Sequence, residues 1–134
     1  LAERVAQMTA IKHIFLVGLG GFAGSVARYF LSRMTGHIQF LSVPIGTLLV
    51  NIIGSLLIGF LIGIAEKSPI LTLELRLLLM VGLCGGFTTF STFTGENLML
   101  MRSGQFLPLL LYAGLSLLLG LLAVFTGFAI TKFL

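Results

Sequence analysis

Gly82-Leu83-Cys84-Gly85-Gly86-Phe87-Thr88-Thr89-Phe90-Ser91-Thr92-Phe93-Thr94-Gly95-Glu96 is the stretch whose reading decides the fold. Apolar residues flank it on both sides, yet four glycines, five hydroxyl side chains and three phenylalanines fall within these fifteen positions. Glycine pairs and clustered Ser/Thr weaken a helical ladder, and inside a bilayer the freed N–H and C=O groups survive only where protein or a watery cavity satisfies them. The stretch therefore reads as a discontinuous helix at membrane depth, a device that aims carbonyls and helix ends at an ion. The same spacing also fits a glycine-kinked helix packed on its neighbours.

Composition places that stretch in a membrane. Of 134 residues, 57% are hydrophobic and only 9% charged, too few charges to cover a soluble globule. The formal charge of +4 comes from basic residues at the borders of apolar runs, which points to lipid headgroups and away from nucleic acid. Cys84 is the one cysteine, so an intrachain disulfide is excluded, and a thiol in an apolar run reads as a small core residue.

Outward from the central stretch, the apolar runs give four spans: Lys12 to about Met34, Pro44 to about Ala65, Leu71 to about Met101, and Phe106 to Leu134. The first run is too long for a signal-peptide core and is read as a span. Residues 1–11 form a mixed polar leader, expected at the interface or frayed, and residues 12–134 a single transmembrane domain. In the first span Gly20-x-x-x-Gly24 and Gly21-x-x-x-Ser25 allow close helix contact. Arg28 follows one turn later, either as an interfacial anchor or as an attractor for anions. His37 stands alone in the loop from Thr35 to Val43 and reads as solvated.

Asn51 is the one strongly polar residue of the second span, with Thr47 and Ser55 one turn away on either side. A buried amide either glues helices or lines a water-filled path, and spacing leaves both open. Beyond the break, Phe90 and Phe93 share a face and Thr89, Thr92 and Glu96 an adjacent one; in the fourth span Tyr112, Ser116 and Gly120 fall on one line. Arg4, Lys12, Lys67, Arg76 and Lys132 belong to one side of the bundle and Arg28, Arg33 and Arg102 to the other. Such weak bias permits insertion in both orientations and an antiparallel homodimer.

Catalysis has no support: the acids Glu3, Glu66, Glu74 and Glu96 are scattered, and no metalloprotease, hydrolase or phosphate-loop motif occurs. Neutral donors at depth favour an anion, and phenylalanine ring edges add positive potential. Carbonyls freed near Gly85 to Thr88 suit a single cation. A proton-coupled multidrug exporter would need a membrane carboxylate in the first span, which has none, and a purely structural role leaves the Thr/Ser/Phe cluster without purpose.

The motifs Gly24-x-x-x-Arg28, Gly46-Thr47-Leu48-x-x-Asn51, Gly82-x-x-Gly85-Gly86-x-Thr88-Thr89-Phe90-Ser91-Thr92-Phe93 with Glu96, and Tyr112-Ala113-Gly114-x-Ser116 resemble the small Fluc/CrcB fluoride channels, from about Phe15 onward. The resemblance implies an all-α membrane protein with its third helix broken mid-membrane, assembled as an antiparallel homodimer with paired pores in the inner membrane. It implies passive fluoride export, so no enzyme. It further implies a structural Na+ at the dimer centre on main-chain oxygens of Gly85 and Thr88. Fluoride would pass Asn51, Phe90, Phe93, Ser91, Thr92, Tyr112 and Ser116, with Arg28 in the vestibule. The fourth-span hydroxyl track departs from the family at Gly120 and Val124.

Overall fold

The computed structural model describes residues 2–134. Helix α1 runs Ala2–Thr35; a short hairpin of β1 (Gln39–Phe40) and β2 (Val43–Pro44) leads into α2 (Ile45–Lys67). The third span covers Leu73–Arg102 in pieces: α3 (Leu73–Arg76), a wide π-helical stretch (Leu77–Cys84), α4 (Gly85–Phe87) and α5 (Phe90–Arg102). Helix α6 (Phe106–Ile130) closes in a 3-10 turn (Thr131–Phe133). Four helices among the described residues are long and apolar enough to cross a membrane. At 1.5 Å per residue the 34 residues of α1 extend about 51 Å, beyond the roughly 30 Å hydrocarbon core. Residues 2–11, expected to fray or lie at the interface, continue the first span as helix without a break.

Glycine sets the packing. A Cβ on Gly20 would meet the Leu78 carbonyl at 2.1 Å, and one on Gly24 the Leu83 carbonyl at 2.2 Å. Gly86 is as close to Gly21, so α1 and the third span touch backbone to backbone. Helices α2 and α6 do the same where Gly59 faces Val124 and Gly127 faces Leu56. In hydrocarbon, where apolar surface gains nothing from leaving lipid, such close approach is what dispersion can use.

The ends sort as the charges imply. Lys12 pairs with Glu74 at 3.2 Å, Lys67 donates to the Thr131 carbonyl, and Arg76 donates to the carbonyls of Ala65 and Leu71, all at one end. Lys67 and Arg76 thereby meet the carbonyls of Thr131 and Ala65 at the C-terminal ends of α6 and α2, where the helix dipole is negative. At the opposite end lie the hairpin, Arg33 and Arg102.

The third span is broken, as the central stretch implied, but not at its glycine pair. Gly85 keeps helical angles (φ −64°, ψ −38°), whereas Thr88 (φ −76°, ψ 159°) and Thr89 (φ −149°, ψ 120°) are extended. Gly82 and Gly86 serve contact with α1, while Gly85 faces open space; the β-branched threonines, whose side chains offer the backbone alternative partners, carry the break.

Candidate functional site

Breaking a helix releases carbonyls, and the question is what takes them. In a continuous helix the Thr89 N–H would reach the Gly85 carbonyl. Here it donates to Asn51 Oδ1 at 2.8 Å, while Asn51 Nδ2 donates to the Thr89 carbonyl at 3.1 Å. The Thr92 N–H, which would have served the Thr88 carbonyl, donates to Thr89 Oγ1 at 3.3 Å and so caps α5. The Gly86 carbonyl accepts from Arg28 Nε at 3.1 Å and Ser25 Oγ at 3.4 Å. The carbonyls of Gly85 and Thr88 are left out of the ladder, and beside them a recess of about 290 Å³ is lined by Gly54, Ser55, Met80, Cys84, Gly85 and Thr88. A Cβ on Gly85 would meet nothing within 4 Å. Neutral oxygens around an open recess suit a monovalent hard cation better than a divalent one, which wants carboxylates.

About two turns beyond the break sits a carboxylate between helices. Glu96 Oε1 accepts from Thr47 Oγ1 at 2.8 Å, and Oε2 accepts from Tyr112 OH at 2.6 Å. Charge-assisted hydrogen bonds of this length are the stronger sort, and together they tie α2, α5 and α6 into one unit. Tyr112 is fully buried, and Phe93 stands edge-on to its ring at a centroid distance of 5.1 Å. Phe90 lies 5.9 Å from Phe93 but is 78% exposed, an aromatic ring presented outward from the chain. A cavity of about 410 Å³ approaches Thr47 and Glu96 from the hairpin end, lined by Ser32, Thr35, Ser42 and Gln105 among others.

The residues singled out from sequence therefore fall into two neighbouring groups. Asn51 bonds Thr89 at the break, next in the chain to Thr88, which shares a recess with Gly85, and Arg28 joins them through Gly86. Phe93 and Tyr112 form the second group, with Phe90 at its edge. Ser91 and Thr92 are exposed at the start of α5, and Ser116 Oγ is buried without a hydrogen-bond partner. Two features were missed. Thr47, one turn from Asn51 on the same helix, serves Glu96 and not Asn51; and Glu96, read in the sequence as one of four scattered acids, is the acceptor at the centre of the second group. The signal for the latter was present: Thr47, Glu96 and Tyr112 are polar residues on three different apolar spans, and a carboxylate there demands donors.

A multi-pass bundle with a broken helix, released main-chain oxygens and aromatic and hydroxyl groups gathered beside the break is the architecture of a membrane transport protein. Residues 15–128 match the family model described as CrcB-like protein, Camphor Resistance (CrcB). The chain belongs to the CrcB family, a family of ion channels and not of enzymes. It is 44% identical over 122 residues, 91% of this chain and 98% of the relative, to a protein of Flavobacterium psychrophilum named "Fluoride-specific ion channel FluC". Proteins of the same name from Chlorobaculum tepidum (47% over 122 residues; 91% and 96% of the two chains) and Nitratidesulfovibrio vulgaris (46% over 117 residues; 87% and 94%) are similar over the same extent.

Proposed function

We propose that this protein is a fluoride channel that lets F− leave the cytoplasm passively, and that it works as an antiparallel homodimer with two pores and a Na+ at its centre. The observation that carries the reading is the break at Thr88 and Thr89, clamped by Asn51 and followed by Phe90 and Phe93. Fluoride is small and strongly hydrated, so a path across lipid must replace its water with close donors. Asn51 Nδ2 keeps a second N–H beyond the one given to Thr89, Ser91 and Thr92 are exposed beside it, and ring edges of Phe90 and Phe93 add positive potential. Tyr112 and Ser116 extend the polar line, and Arg28, whose Nε alone is committed to Gly86, keeps its terminal nitrogens for an anion in the vestibule.

The released carbonyls of Gly85 and Thr88 are the groups that would hold Na+, which supplies positive charge near the anion path. Phe90 supports the dimer: an exposed ring at the level of a polar break gains an anion-facing role only if a second subunit closes a pathway around it. The near balance of basic residues between the two ends supports insertion both ways.

Proteoliposomes loaded with fluoride and followed with a fluoride electrode test this. Rapid fluoride release that persists after the proton gradient is collapsed supports the channel; release that stops with the gradient makes the protein a proton-coupled exporter, and no release leaves only a structural role.

A further inference from the structure

The hairpin between the first two spans lies outside the site described above. Its turn residues Leu41 and Ser42 have φ of 50° and 60°, the left-handed region that costs a non-glycine residue about 1–2 kcal/mol. Two-residue turns of this kind ordinarily use Asn-Gly, so a leucine at the tip asks what it does there. Ile38, Phe40 and Leu41 are 44%, 66% and 56% exposed, and of this segment only Val43 joins a buried cluster. The hairpin follows the end of α1 at which Tyr29, Phe30 and Met34 are exposed, on a helix that spans the membrane. Arg33 and Arg102 are exposed at the same end, and among the described residues Lys12–Glu74 is the only salt bridge, so both guanidiniums face outward with no carboxylate.

From these we infer that the hairpin is a bilayer-interface anchor. Ile38, Phe40 and Leu41 insert at the boundary between acyl chains and headgroups, and Arg33 and Arg102 meet lipid phosphates. Long and aromatic side chains at this depth bury their apolar parts while the backbone stays near water. The anchored turn continues directly into Val43–Thr47, so lipid contact fixes the depth at which the cavity toward Glu96 opens. The inference rests on the chain's place in the membrane and not on fluoride conduction, so either can fail alone.

The sequence contains no tryptophan, so Phe40→Trp introduces a single reporter. In vesicles of phosphatidylcholine and phosphatidylglycerol, the expected result is blue-shifted emission quenched several-fold more by lipids brominated near the headgroup end of the chain than by aqueous iodide. Ile38→Trp should behave alike, and Leu118→Trp, exposed in the middle of α6, should be quenched best by deep bromines. Water-like emission quenched by iodide at positions 38 and 40 overturns the inference. So does protection from both quenchers, which would mean that protein covers the tip.

Discussion

Asn51 and Thr89 form a two-way pair: the Thr89 N–H donates to Asn51 Oδ1 at 2.8 Å, and Asn51 Nδ2 donates to the Thr89 carbonyl at 3.1 Å. A side-chain amide thus takes the place of the neighbouring turn of helix. The pair explains how a chain can run extended through the membrane for two residues without leaving Thr89 unsatisfied, which in hydrocarbon costs several kcal/mol per group.

Asn51→Asp keeps the acceptor for Thr89 but faces its carbonyl with a second oxygen, and adds a negative charge beside the proposed anion path. Fluoride efflux should fall at least tenfold. Asn51→Leu removes both bonds and should lower stability by about 2–4 kcal/mol, since both Thr89 groups lose a partner. Thermal unfolding in detergent and fluoride-electrode efflux read the two effects separately. Full efflux from the Asp variant would remove Asn51 from the pathway.

Phe90 and Phe93 should part company. Phe90→Ile loses little intrachain packing, because the ring is 78% exposed, yet efflux should drop severalfold while the melting temperature stays near wild type. Phe93→Ile also removes the edge-on contact with Tyr112, worth about 0.5–1.5 kcal/mol, and should lower both. Unaltered efflux in both variants would exclude the ring edges as anion contacts.

Thr47 and Tyr112 donate to the two oxygens of one carboxylate, so their deletions should not add. Thr47→Val and Tyr112→Phe should each destabilise by about 1.5–3 kcal/mol, the usual range for a hydrogen bond to a charged group. A double-mutant cycle should show coupling above about 0.5 kcal/mol; strict additivity would mean that Glu96 does not join the two.

Gly24→Ala should be among the most harmful single substitutions, because its Cβ would lie 2.2 Å from the Leu83 carbonyl, where no flexible side chain can yield. Separation of α1 from the third span should appear as loss of folded protein in size-exclusion chromatography. Gly95→Ala, with nothing within 4 Å, should fold normally.

Why some of this was legible in the sequence and some was not follows from what each feature depends on. Span number and the broken third helix are local: apolar length gives the first, and Gly85-Gly86 with Thr88-Thr89 gives the second. The division of labour inside that stretch is not local. Glycine's missing side chain can serve flexibility or contact, and only the proximity of Gly20 and Gly21 shows that contact is the use of Gly82 and Gly86, while Gly85 is left facing open space. Asn51 and Thr47 lie on one helix face, which suggested a joint role; their partners, Thr89 and Glu96, sit on either side of the break, and spacing within α2 carries no information about that. The leader's helicity was hidden because residues 2–11 have no strong apolar period, and they are helical by propagation from the span that follows.

Planar bilayer recording under opposing fluoride and chloride solutions tests the central claim most directly. A channel built on the clamped break should give currents whose reversal potential lies close to the fluoride equilibrium potential, with chloride contributing almost nothing. Currents reversing near the chloride potential, or none despite folded protein in the bilayer, would contradict it.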